Sequence, residues 1–206
     1  MNYNDLAFTD QVLQMQEKYG SKAAYEKMKD RNDRSGLGDH EVQFIEEMDH
    51  FFMATIGENN FPYIQHRGGP KGFLKALNEK QIAFIDFVGN KQYISLGNLS
   101  TNNKVSLFLI SYPHRARLKI YAEAEVVSIE DNQDLFEQLK PMDYSFRPER
   151  IIIFNVKAFD WNCPQHITER FTTEEVNIVL AGAQKKIKLL ETQNEELKNQ
   201  LGQAND

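Results

Sequence analysis

With 206 residues, 41% of them hydrophobic and 11% aromatic, the sequence describes a folded domain with appendages rather than a disordered chain. A net charge of −6 excludes a general nucleic-acid binder, which needs a basic face to neutralise phosphates. The lone cysteine, Cys163, rules out an internal disulfide and fits a reducing cytoplasm. The opening MNYNDLAFTDQ has no basic start and no apolar run, so no signal peptide is expected. No uncharged apolar stretch of about 18 residues exists to span a membrane.

Residues 5–30 read as one helix, with Leu6, Val12, Leu13, Met15, Tyr19 and Tyr25 among polar residues. DRNDRSGLGD, residues 30–39, is a loop, and Asp39 is placed to cap a second helix whose apolar face carries Val42, Ile45, Met48 and Phe52. The period then changes. Phe52–Ile56, a Gly57–Asn60 turn and Phe61–Ile64 form a hairpin, followed by strands over Gln81–Phe87, Gln92–Ser95, Val105–Ser111, Ala116–Ile129 and Arg150–Phe159. Asn132–Leu139 is a helix stopped by Pro141. Antiparallel strands without alternating helices define a mainly β protein with helical appendages, a small barrel or sandwich.

The tail differs in kind. Val176, Leu180, Ala183, Ile187, Leu190, Asn194, Leu197 and Leu201 recur at alternating spacings of four and three, a heptad seam. With Leu180, Ile187, Asn194 and Leu201 at position a, Ala183, Leu190 and Leu197 fall at d. That pattern favours a parallel two-stranded coil, and Lys186 would face Glu191 of the other strand for about 0.3–0.5 kcal/mol. The alternative is an amphipathic helix lying on its own barrel. The expected organisation is a helical region over 1–50, a strand-rich domain over 51–171 and a C-terminal helix over 172–206.

Three polar insertions interrupt the strands. Gln65-His66-Arg67-Gly68-Gly69-Pro70 offers a guanidinium and flexible backbone to an anion, or is simply a tight loop with an exposed arginine. Gly89-Asn90-Lys91-Gln92, with Ser95 and Asn98 close behind, is a second corner rich in donors, and also an ordinary turn composition. Arg115, Arg117 and Lys119 alternate on one sheet face, as a solvated stripe or as a surface for a phosphate or a partner chain. The histidines form no HExxH, and Cys163 with His166 supplies only two potential ligands, so no metal site is expected. No GxSxG elbow supports a catalytic serine, and nothing marks Cys163 as a nucleophile. No catalytic residue can be assigned.

Taken in order, ATIGENNFPYIQHRGGPKGFLK, IAFIDFVGNKQYISLGNLSTNNKVSLFLI and RARLKIYAEAEVVS resemble the pyridoxamine 5′-phosphate oxidase-like proteins, the split β-barrel flavoproteins that bind FMN. The resemblance covers roughly residues 45–171. Lys91 stands where a phosphate-binding arginine stands, Asn90 and Gln92 replace the neighbouring serine and lysine, and Arg67 looks like the arginine of the preceding strand. Ser95 and Asn98 match relatives carrying Gly-Asn-Arg-x-x-x-Ser-x-x-Asn, and Asn102-Asn103-Lys104-Val105 matches a helix-to-strand turn. Trp161 and Arg170 match a tryptophan and an arginine that reach the flavin of the other subunit. The arginine and histidine that grip the vitamin B6 substrate are here His166 and Thr168, a departure from the oxidases proper.

The resemblance implies a homodimer with FMN as cofactor. Its contacts would come from Gln65, His66, Arg67, Asn90, Lys91, Gln92, Ser95, Asn98, Arg117, Trp161 and Arg170. The implied activity is that of an oxidoreductase using NAD(P)H or another reduced substrate. A non-catalytic flavin store or sensor, and a barrel holding haem or a deazaflavin, are the alternatives. Neither nucleic acid nor membrane enters as a partner.

Overall fold

A computed structural model describes residues 2–29 and 36–203. The described chain forms two compact units: residues 1–111 with 116–165, and residues 112–115 with 166–206. Within the described residues no helix is long and apolar enough to cross a membrane.

The first unit is built on a seven-stranded antiparallel sheet. Its strands are β1 (His50–Ile56), β2 (Pro62–Gly68), β3 (Leu74–Asn78), β4 (Gln81–Phe87), β5 (Lys104–Ser111), β6 (Ala116–Val127) and β7 (Pro148–Asn162). Their order across the sheet is β2-β1-β5-β6-β7-β4-β3. β2 and β4 thus have four strands between them, yet their side chains meet, because Arg67 Nη1 is 2.6 Å from Asp86 Oδ1. The sheet is rolled into a partly closed barrel, as the accumulated twist of many strands allows.

Phe51, Phe73, Phe84 and Phe154 fill its interior, with Phe84 and Phe154 stacked at 5.8 Å and Phe51 edge-on to Phe84 at 5.3 Å. β4 is buried on both faces, which explains its unbroken apolar run. Ile82 and Phe84 join the interior, while Ala83 and Ile85 face a second cluster under Leu139 of α6 (Gln133–Leu139).

The N-terminal segment read as one helix is three: α1 (Tyr3–Ala7), α2 (Asp10–Lys18) and α3 (Lys22–Lys29). Asn2 caps α1, Thr9 restarts the chain, and Gly20, at φ +76, breaks it again. The loop read over 30–39 falls largely outside the described residues. The next helix, α4 (Asp39–Glu46), is capped differently from the expectation. Gly38 is the cap residue, its N–H donates to Glu41 Oε2 at 3.0 Å, and Asp39 is already helical. Ile45 and Met48 are buried as expected, but α4 ends before Phe52, which belongs to β1.

The hairpin between β1 and β2 forms as read, with Ile56 opposite Pro62 and Asn60 in the left-handed region at φ 62. Two strands differ. Gln92–Ser95 is not a strand: the chain turns there into α5 (Ile94–Thr101), which buries Ser95 and Leu99, one turn apart. β3 was not expected, since LKALN has no β-branched residue; pairing with β4 decides it.

Glu41 is 1% exposed and joins α4 to the sheet, because its Oε1 accepts from Trp161 Nε1 at 2.7 Å. Glu41→Gln keeps one acceptor oxygen where two are used. It is expected to lower stability by about 1–2 kcal/mol, or about 2–8 °C in Tm, measurable by thermal unfolding.

In the second unit, Arg170 lies 4.7 Å over the Tyr112 ring and Arg115 Nε is 3.4 Å from Glu169 Oε1. The long helix α7 (Thr173–Gln203) follows.

Candidate functional site

β2 is an edge strand whose side chains alternate, so Tyr63, Gln65 and Arg67 share one face. That face forms one wall of a cleft in the first unit, about 480 Å³ with its open mouth included. The opposite wall is Asp86 and Phe87 at the end of β4, then Gly89 to Tyr93, the first turn of α5, and Glu149, Arg150 and Ile152 of β7. The enclosed part is only about 50 Å³, room for a small polar group, and the rest of that volume is open to solvent.

The polar end is organised around Asp86, which is 5% exposed. Its Oδ1 accepts from Arg67 Nη1 at 2.6 Å and its Oδ2 from Arg150 Nη1 at 3.2 Å. Arg150 also lies 3.0 Å from Glu149, whose Oε1 accepts from the Tyr93 hydroxyl at 2.6 Å. Burial pushes the Asp86 carboxyl above its ordinary pKa, and Arg67 and Arg150 only partly pull it back. The hydrogen bond to Glu149 raises the Tyr93 phenol.

Among the described residues, Arg67 Nε is buried without a hydrogen-bond partner. A buried donor left unpaired is costly, so this guanidinium has capacity for a further acceptor. α5 begins at the same end, and no side chain caps it. Its first-turn N–H groups therefore remain available to a ligand oxygen. The loop before it bends sharply, with Lys91 and Tyr93 both in the left-handed region at φ 59 and 54. For side chains of this size that conformation is strained, as is common at ligand sites.

The structure brings together Gln65, Arg67, Asn90, Lys91, Gln92 and Ser95 in this cleft. Ser95 Oγ donates to Gln65 Oε1 at 2.9 Å and fastens α5 to β2. Asn90 and Gln92 hold the loop: Gln92 N–H donates to Asn90 Oδ1 at 3.1 Å and Asn90 Nδ2 to Gln92 Oε1 at 3.3 Å. Asn98 lies behind the cleft wall, donating to Thr55 Oγ1 at 2.9 Å, so it anchors α5 to β1. His66 points to the other face of β2, stacked at 5.5 Å on His50.

Arg117 and Trp161 lie at the opposite end of β7 from Arg150, about 35 Å along the strand. Arg117 donates to the Cys163 carbonyl, and Trp161 packs 4.7 Å from Phe44. Lys119 is paired with Asp160 at 3.3 Å, so the cationic stripe of β6 is not part of this cleft. Arg170 belongs to the second unit. Lys75 donates to the Gln138 carbonyl at 2.8 Å. Gly69 is required by packing, since a Cβ there would sit 2.6 Å from Phe73 Cγ.

Sequence reasoning missed Asp86, Glu149 and Arg150. Asp86 carried a visible signal, a lone carboxylate in the apolar run IAFIDF. Arg150 carried none, because only the β4–β7 register sets it opposite Asp86.

Ser95→Ala removes the tie between α5 and β2. It is expected to reduce stability by about 1 kcal/mol and to weaken ligand binding only severalfold, as read by thermal unfolding and titration.

A rolled antiparallel sheet with helical parts is the architecture of a split β-barrel. The chain belongs to the pyridoxamine 5′-phosphate oxidase family, whose family model matches residues 37–159. No curated protein matches it. Among solved structures it is similar to a putative pyridoxamine 5′-phosphate oxidase from Lactobacillus delbrueckii, with 16% identity, 62% of this chain and 96% of that one covered, and a TM-score of 0.48. It is also similar to an FMN-binding protein from Syntrophomonas wolfei (11% identity, 71% and 97% covered, TM-score 0.46) and to HupZ of Group A Streptococcus (12%, 66% and 99%, TM-score 0.47).

Proposed function

We propose that this protein binds FMN in the Arg67–Arg150 cleft and works as an oxidoreductase, with NAD(P)H or another reduced substrate as electron donor. The observation that carries this reading is the convergence of two guanidiniums, one with an unpartnered Nε, on the uncapped start of α5. That donor set suits a phosphate group, which takes paired N–H donors from arginine and backbone N–H groups from a helix start. Family membership supports the same cofactor.

Arg67, Arg150 and the first-turn amides of α5 would hold the phosphate, with Lys91 as a further cation at the rim. Gln65 and Ser95 would meet the ribityl chain. Tyr63, Phe87 and Tyr93 would lie against an aromatic ring at the mouth of the cleft. Bound there, FMN would supply the hydride chemistry, while the protein sets access, orientation and charge. His166 and Thr168, in place of the residues that grip a B6 phosphate, argue for a substrate other than pyridoxamine phosphate.

The test is the absorption spectrum of the purified protein, alone, with FMN, and then with NAD(P)H. Flavin bands that bleach on adding the nicotinamide are expected. Bound flavin that does not bleach would remove NAD(P)H as donor. A haem or deazaflavin spectrum, or no uptake of FMN, would overturn the cofactor assignment.

A further inference from the structure

α7 runs unbroken for 31 residues, about 46 Å at 1.5 Å per residue. Its start is fixed reciprocally: Thr172 N–H donates to Glu175 Oε2 at 2.7 Å, and Glu175 N–H donates to Thr172 Oγ1 at 3.2 Å. Beyond that start, Val176, Leu180, Ile187, Leu190, Leu197 and Leu201 are 43% to 65% exposed along one stripe. Local propensity alone holds a helix of this kind weakly, and most helix stability comes from burying such a stripe.

We infer that α7 pairs with α7 of a second copy of this chain, as a parallel, in-register, two-stranded coil. Three features select this occupant. The 4-3 spacing forms one apolar seam, and its central heptad sets Ile187 at a with Leu190 at d, the combination that favours two parallel strands. Asn194 occupies an a position. Only the in-register parallel pair sets Asn194 against its own copy, where the two amides can bond each other; a slip by one heptad sets it against Ile187 or Leu201. Lys186 at g then meets Glu191 at e of the other strand, opposite charges along the rim of the seam. Ile187, Leu190 and Asn194 lie side by side with Glu191, Glu195 and Lys198 at one place on this surface, apolar seam residues beside charged ones. This inference rests on the second unit alone and is independent of the flavin reading.

The test uses the full chain with Cys163→Ser as background and single cysteines at Ala183→Cys, a d position, and Gly182→Cys, a c position with nothing within 4 Å of its Cβ. In a glutathione redox buffer, Ala183→Cys is expected to form covalent dimers at least about tenfold faster than Gly182→Cys, because only facing d positions bring the Cα atoms within disulfide reach. Equal rates would overturn the coil, and so would a sedimentation mass above that of a dimer. Preferential heterodimers between Ala183→Cys, at d, and Leu201→Cys, at a, would overturn the parallel arrangement, because a faces d only when the strands run antiparallel. Asn194→Leu is expected to raise the melting temperature of the helix and to admit higher-order species. Its having neither effect would show that Asn194 is not buried between two helices.

Discussion

Arg67→Ala is expected to weaken FMN binding by about 30-fold at least, with little change in the affinity for riboflavin, which lacks the phosphate. Truncating one partner of a hydrogen-bonded charge pair in a protected site costs about 2–5 kcal/mol, and about 2 kcal/mol already corresponds to that factor. The fold should survive, because Arg150 still donates to Asp86 at 3.2 Å. Arg67→Lys should fall between wild type and alanine, since an ammonium replaces the charge but not the paired donors. Titration by flavin fluorescence quenching separates the cases. If Arg67→Ala bound FMN as tightly as wild type, the phosphate would have to sit elsewhere.

Asp86→Asn is expected to do the opposite and tighten anion binding, by about tenfold to a hundredfold. A carboxylate about 5 Å from a bound anion opposes it by about 3 kcal/mol per charge pair at an effective dielectric of 20. Asparagine removes that repulsion and frees Arg67 for the ligand, while Arg150 keeps its pairing with Glu149 at 3.0 Å.

The usual expectation is that unpairing a buried arginine would unfold the protein. The titration behaviour of Asp86 argues otherwise. Burial raises its pKa in the folded chain despite both arginines, so the folded state holds the proton more tightly than the unfolded chain does. The stabilising contribution is complete below the ordinary carboxylate range and is lost as pH rises through the raised value. At neutral pH the ionised side chain therefore carries a net penalty, and a neutral isostere should leave the melting temperature within a few degrees of wild type. The same logic gives a pH dependence. Sulfate, whose charge is constant over this range, should bind wild type more tightly as pH falls from neutral through the Asp86 titration, while Asp86→Asn should lose most of that dependence. A mutant that binds sulfate no better than wild type would remove Asp86 from the control of the cleft.

The barrel was legible because its strands alternate or run apolar in lengths that only a sheet explains, and β4 and β5 fall within a residue of where the pattern puts them. The N-terminal helices and α5 were less legible. Leucines and tyrosines spaced over residues 5–30 give a helical period but do not register the breaks at Thr9 and Gly20. ISLGNLST carries two β-branched residues, Ile94 and Thr101, and a glycine, so propensity reads it as strand or turn, yet bonds from Ser95 to Gln65 and Asn98 to Thr55 hold it helical. The candidate site divides in the same way. Gln65, Arg67 and Lys91 could be singled out because local composition marks an anion corner. Glu149 and Arg150 enter from a strand far along the chain, which the sheet's pairing alone brings in. His66 was misjudged by treating 65–70 as a loop: once 62–68 is a strand, alternation sends it to the other face.

The strand order has a consequence for how the chain is made. The hairpins β1–β2 and β3–β4 follow one another in sequence, yet they end as opposite flanks of the sheet, with β5, β6 and β7 set between them. As the polypeptide emerges from its N-terminus, both flanks are complete while the centre is still missing. β1 has no second neighbour until β5 is out, and β4 has none until β7 is out. Nascent chains ending before residue 148 therefore carry an exposed β4 edge rich in Ile82, Phe84 and Ile85, the kind of ribbon that chaperones shield and that neighbouring nascent chains can capture.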